Sequence, residues 1–338
     1  MVETRKVQVT GGSTYTVSIP KDWATENGVS AGSEVEFYPE GDSLFLTPVS
    51  EEERTEGTLD VGDLGGEELT RAVMTMYVSG FDIIALESSR ITNDQRRTIR
   101  DAVQGLVGLE VLEETRDRVV IRDLLDSSEL SIHNAVTRMR LIALSMLEDA
   151  IAALAEADSD MARDVIQRDD DVDRLYMVVS RIFRSTLRTP KAAEELGLDR
   201  ESCFDYHASA RQLERTADHA TKIAHLTLEV DDTGPHGPIP EELIDALDEL
   251  REDAAGVVDS AMDALFEEDS NEATRRANDA RSRVRGIDQR AREIDELLRD
   301  LDPARAQLLG LVVDSVSRAA DYGGNIAETA LQKAAPTP

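Results

Sequence analysis

The sequence predicts a mainly α protein: six long helices in two three-helix sets, behind a small α/β unit and an N-terminal β-rich segment. Three observations predict it. From Ser131 onward, apolar residues recur with a 3.6 period that breaks only at short Pro, Gly and Asp stretches. The chain is 41% hydrophobic but only 4% aromatic, so its core must be built from Ala, Leu, Val and Ile, a mixture that together with abundant Arg and Glu favours helices. One helix is also written twice: Arg215, Ala217, Asp218, Ile223 and Ala224 recur as Arg318, Ala320, Asp321, Ile326 and Ala327.

Residues 1–50 alternate like strands. R-K-V-Q-V-T and T-Y-T-V-S-I flank the turn Gly11-Gly12-Ser13, giving a hairpin. Pro20 opens a short helix that Gly28 stops. E-V-E-F-Y and S-L-F-L-T-P then form a second hairpin around Pro39 to Asp42. So short a segment buries too little surface to stand alone, so pairing with a second copy is expected. E-E-E-R-T-E-G, 51–57, reads as a linker.

Residues 57–124 read as an α/β unit. Leu69 to Val78 is helical, F-D-I-I-A-L-E a strand, and Asp94 to Val107 a helix. L-E-V-L-E-E-T and R-V-V-I-R are strands joined at Arg116-Asp117. This unit holds no Gly-rich phosphate loop, His/Cys cluster or nucleophile elbow, and its role is not legible.

The helices are expected at 131–156, 159–188, 192–229, 241–267, 270–300 and 304–334. Thr189-Pro190, D-D-T-G-P-H-G-P-I-P and Asp302-Pro303 separate them. The matched third helix of each set predicts a duplicated three-helix bundle, 131–230 and 239–334.

The net charge is -32, with five lysines against 69 acids. The acids are spread through periodic segments rather than gathered in tails. This acid-rich, Lys-poor balance resembles proteins of halophiles that keep molar salt inside the cell, where the Debye length falls to about 3 Å. The single Cys203 fits a reducing cytoplasm. The N-terminus lacks the apolar core of a signal peptide, and no apolar run approaches the roughly 20 residues of a membrane helix, so a cytoplasmic location is expected.

On a helix, residues four apart share a face. Leu213, Ala217, Ala220 and Ala224 make an apolar stripe, and Glu214, Asp218, Thr221 and His225 a polar stripe beside it. Asp169 and Asp173 stand four apart in the second helix of the same set. Two carboxylates from each of two facing helices suit an all-oxygen site for Mg, Mn or Fe. Chance alone supplies on the order of 13 acid pairs at this spacing. The pairs therefore matter only through their matching positions in one bundle. The alternative is that Asp218 and Asp321 serve helix–helix hydrogen bonds. The chain has no Glu-x-x-His pair of the di-iron kind and no His/Asn arrangement around Cys203, so no enzyme activity is expected.

E-R-T-A-D-H-A-T-K-I-A, 214–224, is similar to the signature helix of the PhoU family of phosphate-uptake regulators, and D-D-D-V-D-R-L, 169–175, resembles its other acidic helix. The resemblance covers roughly residues 131–334. It implies two tandem three-helix bundles, Glu/Asp-x-x-x-Asp pairs that hold metal, and restraint of phosphate import through a transporter ATPase and a sensor kinase. By matching, the metal residues are Asp169, Asp173, Glu214 and Asp218. The second bundle departs from the pattern: Ala291 stands where Asp169 would be and Ser317 where Glu214 would be, leaving Asp295 and Asp321.

V-T-G-G-S-T-Y-T-V-S-I-P-K-D-W followed by V-S-A-G-S-E-V-E-F-Y resembles the AbrB/SpoVT-type swapped-hairpin domain over about residues 3–49. That resemblance implies a homodimer whose basic residues contact DNA. The candidates are Arg5, Lys6 and Lys21, set against seven acids in residues 1–50. The combined reading is a phosphate-responsive, DNA-binding regulator of phosphate uptake. The alternative is a dimeric adaptor that restrains the transporter ATPase without touching DNA.

Overall fold

The computed structural model describes residues 3–49, 54–124, 131–232 and 238–336. Parts of the expected linker, 51–53, and of the expected break after the third long helix, 233–237, lie outside them. The chain divides into two compact units, Met1–Arg54 and Thr55–Pro338.

In the first unit, β1 (Gln8–Thr10) and β2 (Thr14–Thr16) pair antiparallel across Gly11 and Gly12. Both glycines have left-handed φ, 66° and 83°, which other residues rarely adopt. The hairpin is shorter than expected, because among the described residues its pairing stops at Gln8↔Thr16. After α1 (Lys21–Glu26), β3 (Val35–Glu40) pairs antiparallel with β4 (Ser43–Pro48). Among the described residues of this unit, only Tyr38 is a buried apolar side chain. Val9, Tyr15, Phe37 and Leu44 are each more than half exposed, at 64, 77, 56 and 62%. A single copy thus leaves its apolar faces uncovered.

The second unit begins with β5 (Glu56–Asp60), α2 (Gly66–Val78), β6 (Ile83–Glu87), α3 (Asn93–Gln104), β7 (Leu109–Glu114) and β8 (Arg118–Asp123). The sheet order is β5-β6-β8-β7, with β5 parallel to β6 and the other neighbours antiparallel. Leu69, Val73, Tyr77, Ile99 and Val103 from the helices cover Ile84, Leu86, Val119 and Ile121. The expected linker, 51–57, thus ends inside β5. Its strand character comes from the register Glu56↔Ile83, a partner 27 residues away that local sequence does not display.

Helices α4 (Ile132–Glu156), α5 (Ser159–Arg188), α6 (Pro190–Leu196) and α7 (Arg200–Asp232) follow. Then come α8 (Glu241–Phe266), α9 (Ser270–Leu298) and α10 (Pro303–Ala334). Ser131, Asp158, Asp269 and Asp302 accept hydrogen bonds from first-turn amides, which fixes four of the starts. The single helix expected at 192–229 is in fact two, because Gly197 turns left-handed at φ 64° and caps α6.

Helices α4, α5 and α7 form one bundle, and α8, α9 and α10 the other. They share a continuous core, since α7 packs along α10 and α4 along α8. Small side chains permit that approach: Ala217, Ala220 and Ala224 are fully buried, as are Ala320 and Ala327. Among the described residues, no helix is long and apolar enough to cross a membrane.

The α/β unit is anchored to the first bundle by Arg181 of α5. Its Nη1 donates to the carbonyls of Tyr77 (2.6 Å) and Phe81 (3.2 Å). Its Nη2 reaches Asp123 at 2.6 Å and Asp82 at 3.4 Å, and the guanidinium lies 5.0 Å from the Tyr77 ring centroid. The Arg181 and Asp123 side chains are only 10% and 6% exposed.

Candidate functional site

Helices α5 and α7 bring the four predicted carboxylates of the first bundle into one electrostatic neighbourhood. Leu213, Ala217, Ala220 and Ala224 are all fully buried, which rotates Glu214 and Asp218 to the edge of the buried face. Val165 and Val172 do the same for Asp169 and Asp173 on α5.

Burial pushes the Glu214 carboxyl up to about 7, with Asp218 and Asp173 adding to the rise and Arg211 opposing it. Burial also lifts Asp169 to about 6, helped by Asp173, Asp218 and Asp170 and opposed by the Thr221 hydroxyl. Asp173 is raised by its protein surroundings and by Asp218 and Asp170, although its side chain still reaches water. Asp169 and Asp173 are thus raised by Asp218 on the facing helix, and Glu214 by Asp173, the signature of like charges held close.

One cation enters this neighbourhood that the spacing did not reveal. Arg211 Nη1 donates to Glu214 Oε1 at 2.7 Å, and its guanidinium lies 5.3 Å from the Tyr176 ring centroid. It stands three residues before Glu214, one turn along the same face, which is the signal that could have found it.

Asp169 Oδ1, Glu214 Oε2 and Thr221 Oγ1 are buried without a well-formed hydrogen bond. Orphaned buried oxygens beside like charges fit a hard cation held by oxygen donors. Among the described residues, no three acids, histidines or cysteines converge closely enough to hold one ion as they stand. The charge and the free oxygens are present; the convergence into a single shell is not.

The second bundle differs. Asp295 is exposed, and Asp321 accepts from Arg318 at 3.3 Å. The helix–helix role considered for Asp218 and Asp321 falls instead to their neighbours. His219 Nε2 meets the Tyr322 hydroxyl at 3.1 Å, and Asn325 donates to Gln212 at 3.1 Å across the α7–α10 contact.

The three DNA candidates lie in the first compact unit. Arg5 and Lys6 precede β1, Lys21 opens α1, and all three are exposed. Arg5 is ion-paired with Glu3.

Two further features went unread in the sequence. Asp205 is buried, and burial lifts its carboxyl to about 6 despite the opposing charge of Lys333. A cleft of about 630 Å³ opens at the carboxyl ends of the parallel strands β5 and β6, lined by Asp60, Glu87 and Ser88 and by Glu113 and Asp117. Arg118 beside it is engaged at 3.3 Å by both Glu56 and Glu87.

Residues 136–227 match the family model of the PhoU domain. Residues 8–54 match that of the antidote-toxin recognition domain MazE, a bacterial antitoxin. No curated protein matches the chain. Among solved structures, PhoU from Pseudomonas aeruginosa is similar at 21% identity and TM-score 0.49, over 59% of this chain and 93% of that one. The phosphate transport system regulatory protein PhoU from Streptococcus pneumoniae is similar at 18% identity and TM-score 0.47, over 59% of this chain and 91% of that one. In its first helical bundle, then, this chain carries a PhoU domain, set behind an N-terminal segment of the MazE type.

Proposed function

We propose that this protein is a cytoplasmic regulator of phosphate uptake in which a paired N-terminal head acts on DNA and the first bundle responds to a bound cation. The single observation that carries the regulatory reading is the PhoU domain at 136–227 joined to a MazE-type head at 8–54. The uncovered apolar faces of Val9, Tyr15, Phe37 and Leu44 support pairing of the head with a second copy. Exposed Arg5, Lys6 and Lys21 are the residues offered to phosphates of DNA. Asp169, Asp173, Glu214 and Asp218 are the residues offered to Mg, Mn or Fe, which would relieve their mutual repulsion. No step of catalysis is assigned to any of them.

A second reading is favoured by charge. Residues 1–50 hold three cations against seven acids, and Arg5 is taken by Glu3. On that reading the head only dimerises, and the helical region restrains the transporter ATPase by contact.

Genome-wide occupancy of the tagged full chain, with phosphate plentiful and then scarce, separates the two. Occupancy at phosphate-transport promoters that shifts with phosphate, and is lost when residues 1–50 are removed, supports the DNA-acting regulator. Absence of occupancy in both conditions rejects it and leaves the adaptor.

A further inference from the structure

The acids of the first bundle form a ladder along the α5–α7 seam, and the ladder ends on a cation of the protein's own. Asp169 feels Asp218 and the Thr221 hydroxyl, Glu214 feels Asp173, and the Arg211 guanidinium lies 5.3 Å from the ring centroid of Tyr176 on the facing helix. From there Arg211 Nη1 donates to Glu214 Oε1 at 2.7 Å, so the pair bridges the seam at one end. The bond draws the Glu214 carboxylate one turn toward the start of α7. Asp218 stands four residues the other way. One Glu214 oxygen is therefore engaged away from the other acids. The second, Oε2, is buried without a well-formed hydrogen bond, on a residue only 9% exposed. A buried oxygen left over in this way keeps its pull on a cation.

Two arginines stand beside Glu214 and are held differently. Arg215 lies toward α10, with its guanidinium 5.8 Å from the Tyr322 ring centroid. Arg211 is the one that bonds the carboxylate, by a charge-assisted hydrogen bond. The Arg211 side chain is 44% exposed and that of Glu214 12%, so the arginine can swing into water while the acid stays in the seam. The second bundle has neither member of the pair: Asp314 and Ser317 stand where Arg211 and Glu214 would be. The arginine thus belongs to the repeat that holds the full acid set. A guanidinium and a divalent ion drawn to one carboxylate repel each other, and more strongly at a buried site than in water.

We infer that Arg211 is the resident cation of the seam: a metal ion taken up by Asp169, Asp173, Glu214 and Asp218 has to displace its guanidinium from Glu214, so that Arg211 sets the concentration at which the metal binds. This rests on the proposed cation reading and adds to it a competitor built into α7. The released guanidinium leaves Tyr176 for solvent, and metal binding thereby changes the charge presented beside α5.

The test titrates Mn²⁺ into the full chain and follows binding by calorimetry and by loss of the free-ion EPR signal, in the wild type, R211Q, R211K and R215Q. The expected Kd is lower by about tenfold or more in R211Q, because a unit charge at hydrogen-bond distance from the carboxylate is gone. It stays within about threefold of the wild type in R211K, which keeps the charge, and in R215Q, which removes an equal charge not bonded to Glu214. Phenylglyoxal labelling of wild-type Arg211, read by peptide mass spectrometry, should increase when Mn²⁺ is added. Tight binding by R211Q beside weak or no binding by the wild type supports the competition. Binding by the wild type with no gain in R211Q, or with an equal gain in R211K or R215Q, overturns this inference and leaves the cation reading standing. Binding by none of the four proteins overturns both. Circular dichroism checks that each variant is folded; should R211Q not fold, Arg211 labelling that Mn²⁺ leaves unchanged in the wild type overturns the inference.

Discussion

At Glu214 the protein holds a carboxyl whose pKa is displaced from 4.5 to about 7, with burial as the leading cause. The sign of its effect on stability follows. Below about 4.5, folded and unfolded chains are both protonated there and the group is neutral in the balance. As pH rises, the unfolded chain ionises first, so stability falls until pH passes about 7. Asp169 acts in the same direction, from 3.8 up to about 6. Glu214→Gln is therefore expected to stabilise the protein at pH 8 by on the order of 1–3 kcal/mol and to leave it unchanged at pH 4. Thermal melts of both proteins across that range check this. A constant offset at both pH values would show that the mutation acts through packing instead. On the proposed cation reading, Mn²⁺ also flattens the wild-type pH dependence and has less effect on the variant. Cys203 gives a second residue-scale expectation. It is fully buried, and burial pushes its thiol up to about 11. It should resist thiol reagents in the native protein and react only on unfolding, which a timed labelling assay reads directly.

At the level of elements, the clamp between α5 and the sheet unit centres on Arg181, its ion pair with Asp123 and its bonds to the Tyr77 and Phe81 carbonyls. Arg181→Met removes a cationic partner of the nearly buried Asp123 together with the hydrogen bonds to the Tyr77 and Phe81 carbonyls, and is expected to cost about 3 kcal/mol. The loss should appear as faster amide exchange through residues 55–124, with the α7–α10 contact unaffected. Adding Asp123→Asn should recover part of it, and a double variant as unstable as the single one would argue that the carbonyl bonds to Tyr77 and Phe81 matter more. The contact between α8 and α10 depends on size rather than charge. A Cβ at Gly323 would lie 2.8 Å from the Val258 nitrogen and 2.9 Å from Val257 Cγ1. Gly323→Ala should therefore lower the melting temperature, despite Ala being the better helix former. Its counterpart in the first bundle, one repeat earlier, is the buried Ala220, so the duplicated helices have diverged in how closely their neighbours approach.

For the molecule as a whole, the charge of -32 sets the response to salt. Raising KCl from 0.1 M to 1 M shortens the Debye length from about 10 Å to about 3 Å, so self-repulsion fades. The melting temperature should rise over that range, and a flat profile would count against the halophile-like reading. The N-terminal unit sets the oligomeric state on the proposed reading. Replacing Val9 and Phe37 by Asp puts charge on faces that a second copy would cover, and light scattering should then report monomers. A dimer that persists would move the pairing surface elsewhere, to residues 55–338.

How much of this was legible beforehand follows the range of the interactions. The sequence by itself determined the helical region. Its 3.6 periodicity, its Ser and Asp caps and the repeat of Arg215 to Ala224 at Arg318 to Ala327 are local properties, and helices close their hydrogen bonds locally. It also picked out Asp169, Asp173, Glu214 and Asp218, because spacing on a helix reports a shared face. The left-handed Gly197 inside an unbroken helical pattern was missed, since nothing in its neighbours demanded a stop. Only the tertiary structure decided that β5 is a strand and that Arg181 ties the sheet unit to α5. It alone decided that the four acids gather without closing into one shell. Each of those outcomes turns on groups distant in sequence meeting in space, and burial then fixes their charge, which no periodicity encodes.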